Sequence, residues 1–183
     1  SFGVSRPSLR EAFRILEAEM LITVGRGART GARVHAPRVE SVSRYAGFFL
    51  QSQKTTIADI YDARLAIEPF IAKRLAERRP DGAVERLRAE VAKLSALVDE
   101  RRYVDFMIGV AGFHRVMVEL GGNGTLLLVT AILQEVVARY QVDFLKKRNL
   151  PQDVQRERAH WGLVSFNKLI EMIEAGDADR AES

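Results

Sequence analysis

The chain has 183 residues, 47% apolar and 28% charged, enough for one large domain or two small ones around a real core. With no cysteine it excludes disulfides, thiolate zinc sites and a cysteine nucleophile; three histidines leave little for an all-histidine metal centre, and no apolar run reaches the about 18 residues of a membrane span. The formal net charge is +4, and +3 of it falls in residues 1–37, where six arginines face three glutamates and no lysine occurs. Arginine forks grip phosphate and guanine edges at two points, whereas lysine acts as a point charge. The excess is either an anion-binding head on a nearly neutral body or scatter over a solvated surface.

The opening Ser-Phe-Gly-Val-Ser has neither the basic nor the apolar stretch of a signal peptide, and a cytoplasmic protein is expected. The missing initiator Met and the pattern broken off at Ser183 suggest a trimmed chain. Residues 5–19 predict a helix with Ser5 as N-cap and Pro7 in its first turn. Leu9, Ala12, Phe13 and Leu16 share its apolar face, while Arg6, Arg10 and Arg14 recur every four residues on another. Leu21-Ile22-Thr23-Val24 predicts a strand, residues 25–31 a glycine-rich turn, and Ala32-Arg33-Val34-His35 its returning partner.

Residues 38–55 predict a connector with a short helix over 40–50, and everything after it is helical in period. Thr56, with Asp59 in the capping-box position, opens a helix to Arg78, which Pro69 inside it is expected to kink. Asp81 opens the next, striped by Val84, Leu87, Val91, Leu94 and Val98. Further helices are predicted over 104–120, 124–147 and 151–175; Gly121-Gly122-Asn123 breaks the first from the second, and Gly176 stops the third. Asp177 can cap a last one. The fold class is mainly α: a small winged unit and an antiparallel all-helical bundle.

Residues 2–22, with Gly3-Val4-Ser5-Arg6 and Leu9-Arg10-Glu11-Ala12, resemble the second half of a winged helix-turn-helix of the GntR family of bacterial transcription regulators. Residues 60–69, Phe113-His114 through Gly122-Asn123, and residues 170–177 resemble the all-helical FCD ligand-binding domain of its FadR-like branch. The resemblance implies a partial winged domain over 1–37 whose first helix precedes Ser1, a linker over 38–55, and an effector-binding and dimerisation domain over 56–183. It implies a recognition helix in the major groove, with Ser5, Arg6, Ser8 and Arg10 on DNA and Arg26, Gly27 and Arg29 in the wing. For Arg10 the alternative is an ion pair on a solvated face with Glu11; for the wing arginines it is plain solubility. Met20 stands where the family has a glycine that permits a left-handed helix cap, which puts that cap geometry in question.

Many domains of this branch hold a divalent metal through an Asp, a His four residues later and two further His. His114 matches the first His, but Val110 stands for the Asp, Phe166 for the second His, and the third position lies beyond Ser183. One imidazole, a valine and a phenylalanine cannot hold zinc, so neither metal nor cofactor is expected. The apolar replacements leave two readings: a pocket rebuilt for a hydrophobic or acyl-CoA-like anionic effector, or one filled in and silent. The effector candidates are Arg64, Val110, Phe113, His114, Arg139, Tyr140 and Phe166. His114 serves either a ligand oxygen or the core, and Arg64 either an anionic effector or an i, i+4 pair with Glu68. The leading function is a ligand-responsive, homodimeric regulator of a palindromic double-stranded operator, with no membrane role. The competing functions are a helical sensor with a vestigial head and an enzyme on a helical scaffold; no carboxylate–histidine pairing of catalytic appearance favours the latter.

Overall fold

The structure, a computed structural model, describes residues 3–25, 31–36, 39–148 and 150–182, with side chains at all of these except 39–41, 44, 135 and 138–148. Helix α1 spans Arg6–Ala18. Its start follows the predicted chemistry: Ser5 Oγ accepts from the Ser8 N–H at 3.3 Å, and Pro7 sits in the first turn, where a missing donor costs nothing. Its other end is a complete Schellman turn. The Leu21 N–H donates to the Leu16 carbonyl at 2.9 Å and the Met20 N–H to the Glu17 carbonyl at 3.0 Å, with Met20 at φ +57°. Methionine here takes the left-handed conformation that glycine enters freely, at a cost of about 1–2 kcal/mol for its Cβ.

Strands β1 (Ile22–Val24) and β2 (Ala32–Val34) pair antiparallel, with Ile22 opposite Val34 and Thr23 opposite Arg33. The Gly25 N–H reaches the Gly31 carbonyl at 3.1 Å and closes the ladder beyond Val24. Glu17 Oε1 accepts from the Val24 N–H at 3.2 Å, which docks the hairpin on α1, and Thr23 Oγ1 lies 2.7 Å from His35 Nε2. Ile22 is the one fully buried residue among those described in this unit.

Helix α2 runs over Val39–Ser52, longer than the short helix expected within the connector. Helix α3, Ile57–Arg78, begins with the predicted capping box: Thr56 Oγ1 accepts from the Asp59 N–H at 3.2 Å, and the Thr56 N–H donates to Asp59 Oδ2 at 2.7 Å. It continues through Pro69. Helix α4, Ala83–Asp99, starts two residues after Asp81, with Gly82 in its N-cap position at φ +71°. Helix α5 spans Tyr103–Leu120 and α6 Gly124–Arg148. Asn123 caps α6, its Oδ1 accepting from the N–H groups of Thr125 and Leu126. Helix α7, Gln152–Ala175, ends at Gly176 (φ +73°), and α8 (Ala178–Glu182) follows with Asp177 as its cap.

These helices form the expected bundle. Ile71 and Leu75 of α3, Leu87 and Leu94 of α4, Phe106 and Phe113 of α5, and Ile170 and Ile173 of α7 make one core. A satellite core joins Leu50 of α2, Ile60 of α3, and Leu133, Val136 and Val137 of α6. Among the described residues α1, β1 and β2 pack only on one another, and α2 packs only on α6. No helix of the described chain is long and apolar enough to cross a membrane.

Met20→Gly should remove the left-handed strain and stabilise the amino-terminal unit by about 1 kcal/mol. Amide hydrogen exchange of the α1 residues should then slow by about fivefold, and unchanged exchange would show that the turn carries no strain.

Candidate functional site

Two surfaces collect the residues that the sequence singles out. The first is the start of α1. Ser5, Arg6, Ser8 and Arg10 are all solvent-exposed there, and Ser5 Oγ lies 2.8 Å from Ser8 Oγ. Glu11 turns to Arg14 (3.5 Å) rather than to Arg10, so Arg6 and Arg10 stand without an ionic partner among the described residues. The first turn of any helix has unused N–H groups and a partial positive charge. Two free guanidinium groups one turn apart extend that field outward on one face. Arg26, Gly27 and Arg29 lie outside the described residues.

The second is a cavity of about 270 Å³ between α3, α5 and α6. Helix α3 lines it with Tyr61, Arg64, Leu65 and Glu68, at spacings of three, one and three. Helix α5 repeats that spacing with Met107, Val110, Ala111 and His114, the signature of one helical face turned inward. Helix α6 contributes Gln134 and Val137.

The polar centre of this cavity is Glu68. Its Oε1 accepts from Arg64 Nε at 2.7 Å, and its Oε2 lies 3.1 Å from His114 Nδ1. The Arg64 side chain is only 10% exposed and that of Glu68 only 15%. Burial alone would raise the Glu68 carboxyl; the His114 ring and the Arg64 guanidinium outweigh it and hold the group below its ordinary 4.5. His114 Nδ1 is buried and close enough for attraction, yet it completes no hydrogen bond of good geometry among the described residues. Gln134 Nε2 is buried and has no partner among the described residues. The Arg64 guanidinium also stands over the Tyr61 ring, 5.3 Å from its centroid.

The structure thus brings Arg64, Val110 and His114 into one cavity, and it realises the i, i+4 pair of Arg64 with Glu68. Phe113 and Phe166, expected as effector contacts, are placed differently. Phe113 follows Ala111 and Gly112 round the helix and points into the main core, where it is fully buried. Its ring stacks on Phe166 with centroids 4.2 Å apart, and His114 stands edge-on to both at 5.9 and 5.7 Å. The two phenylalanines are the floor beneath His114 rather than the lining. Arg139 and Tyr140 belong to α6, but their side chains lie outside those described. Sequence reasoning did not place Tyr61, Leu65, Met107, Ala111 and Val137 in the lining, nor the two polar residues Glu68 and Gln134. The i+4 step from Arg64 pointed to the first; no local signal marks the second.

The donor set does not suit a metal. Glu68 and His114 offer the ligating atoms here, while Val110 and Phe166 bring no lone pair. No group of three or more His, Asp or Glu able to hold an ion occurs among the described residues.

A family model described as the FCD domain matches residues 59–183. The HTH-type transcriptional repressor NanR of Cronobacter sakazakii is 32% identical over 143 residues, which cover 75% of this chain and 53% of that protein. Its namesake in Klebsiella aerogenes is 28% identical over 191 residues, covering 98% of this chain and 68% of the relative. The chain therefore spans about half to two thirds of the length of the curated relatives it matches. Among solved structures, Streptococcus agalactiae GntR superposes with a TM-score of 0.62 at 18% identity, covering 96% of this chain and 78% of that one. At that identity the likeness is one of fold.

Glu68→Gln should destabilise the chain by about 2–3 kcal/mol at pH 7, somewhat less than a fully buried pair because the cavity admits water. The folded carboxyl titrates below its unfolded value, so its contribution is complete above about pH 4.5 and is lost as the pH falls through the depressed folded value. Urea unfolding at pH 7 and at pH 4 should show the gap between wild type and variant narrowing in acid. A gap independent of pH would assign the loss to packing instead.

Proposed function

The chain belongs to the FCD-domain branch of the GntR family, and from that premise we propose that it is the greater part of a ligand-responsive transcription regulator. In this reading residues 1–37 are a partial winged DNA-binding domain, 38–55 the linker, and 56–183 the domain that binds an effector and pairs two subunits. The observation that carries it is the pair Arg6 and Arg10, exposed and without ionic partners, at the N-terminal end of a helix to which a two-stranded hairpin is docked.

In a major groove these guanidinium groups would reach guanine N7 and O6, or phosphate, while the free N–H groups of the first turn take a phosphate. Ser5 and Ser8 supply hydroxyls beside them. Arg26, Gly27 and Arg29 are proposed as wing contacts, the glycine allowing close approach of the backbone. The partner is double-stranded operator DNA, read by a homodimer whose two heads match a palindrome. A DNA-bound regulator of this kind works in the cytoplasm, and it binds rather than catalyses.

The cavity of α3, α5 and α6 is the proposed effector site, with Arg64, Val110 and His114 in contact with the ligand and Glu68 holding Arg64 in place. Tyr140 is proposed at its α6 side; Arg139, two residues past Val137, falls on another face of α6 than Gln134 and Val137. About 270 Å³ lies just below the range of about 300–1,000 Å³ usual for small-molecule sites. That volume suits a compact metabolite and has no room for an entire acyl-CoA, and the charged pair at its centre is foreign to an acyl tunnel.

Arg10→Ala should cost about 1–3 kcal/mol on the native upstream duplex if the arginine is bidentate to guanine. Fluorescence anisotropy of the full-length protein at two salt concentrations, with a scrambled duplex alongside, measures it. Equal loss on both duplexes would make Arg10 a phosphate contact, and no preference by the wild type at either salt would overturn the regulator reading.

A further inference from the structure

The chemistry of the cavity also bears on the class of its ligand, an inference that rests on the effector-site reading above. One side of the cavity is polar and offers both hydrogen-bonding senses. An ionised carboxylate can accept about four hydrogen bonds, and Arg64 Nε donates one of them to Glu68 Oε1. Gln134 Nε2 is a buried donor with no partner among the described residues, while His114 Nδ1 faces Glu68 Oε2 at 3.1 Å without a hydrogen bond of good geometry. Buried polar atoms of this kind are uncommon unless something completes them. A ligand hydroxyl can do both at once, donating to Glu68 and accepting from Gln134.

The other side is apolar. Met107, Val110 and Ala111 of α5, with Leu65 and Val137, form a wall suited to carbon-bound hydrogens. The charge balance then discriminates. Arg64 and Glu68 cancel, so the described lining is neutral whenever His114 is neutral. A carboxylate entering here would have to compete with Glu68 for Arg64, or lie against a like charge in a poorly solvated space. We propose that the cavity takes a neutral, polyhydroxylated molecule of monosaccharide size, its hydroxyls bonded by Glu68, His114 and Gln134 and its C–H face laid on the apolar wall.

The test uses the full-length protein at pH 8 and matched probes: D-glucose against D-glucuronate, D-galactose against D-galacturonate, and D-mannose against D-mannuronate. NMR of the His114 ring, one of three histidine rings in the chain, reports binding in the cavity. The expected result is that at least one neutral sugar shifts the His114 signals and that its uronate binds at least tenfold more weakly. Gln134→Leu should weaken the neutral sugar by about tenfold. Glu68→Gln, which releases Arg64, should move the preference toward the uronate.

A wild type that takes a uronate as tightly as its parent sugar overturns the neutral class while leaving the effector site standing. Silence toward every sugar and uronate overturns the polyhydroxyl class. Ala111→Trp, which fills the cavity, separates the two levels. If this variant still binds a sugar with wild-type affinity, the ligand sits elsewhere and the effector-site reading falls with the proposal.

Discussion

A carboxylate moved out of water costs several kcal/mol unless opposite charge and hydrogen bonds travel with it, and Glu68 sits under that constraint. Its partners come from two helices. Arg64 lies one turn back on the same helix, and His114 arrives from α5 across the bundle. The α3–α5 packing therefore brings with it the electrostatic completion of the cavity. His114 in turn is held edge-on by the Phe113–Phe166 stack, so the core of the bundle sets the angle at which the imidazole meets the carboxylate. Val110 lines the cavity and Phe166 joins the aromatic floor beneath it, so its polar centre is the Glu68 carboxylate with Arg64 and His114.

Much of the fold was legible because its signals are local. The Thr56–Asp59 box, the Asn123 cap, the Gly176 stop and the Asp177 cap each depend on atoms within three or four residues, and each forms as its residue types predict. Met20 and Gly82 mark where locality ends. At Met20 the left-handed turn is imposed by the hairpin that Glu17 ties to α1, against the preference of the side chain. At Gly82 the helix begins on the residue that can turn most sharply, rather than on Asp81, the better cap by side-chain chemistry.

The site was legible in proportion to its dependence on one helix. Val110 and His114 share a face because they are four apart, and Glu68 follows from Arg64 by the same step. Phe113 misled because neighbours in sequence point about 100° apart on a helix, so the residue beside a cavity histidine belongs to the core. Gln134 carries no mark of its role, since its place in the cavity comes from how α6 crosses α3 and α5.

One residue, Val137, belongs both to the cavity lining and to the satellite core that includes Leu50 of α2. Among the described residues α6 is the only helix on which α2 rests, and the winged unit touches none of the bundle helices. Helix α2, about 21 Å long, is thus seated on α6 alone among the described helices. Val137 is the described residue at which the lining of the cavity and the seat of α2 meet, so the two share one apolar side chain.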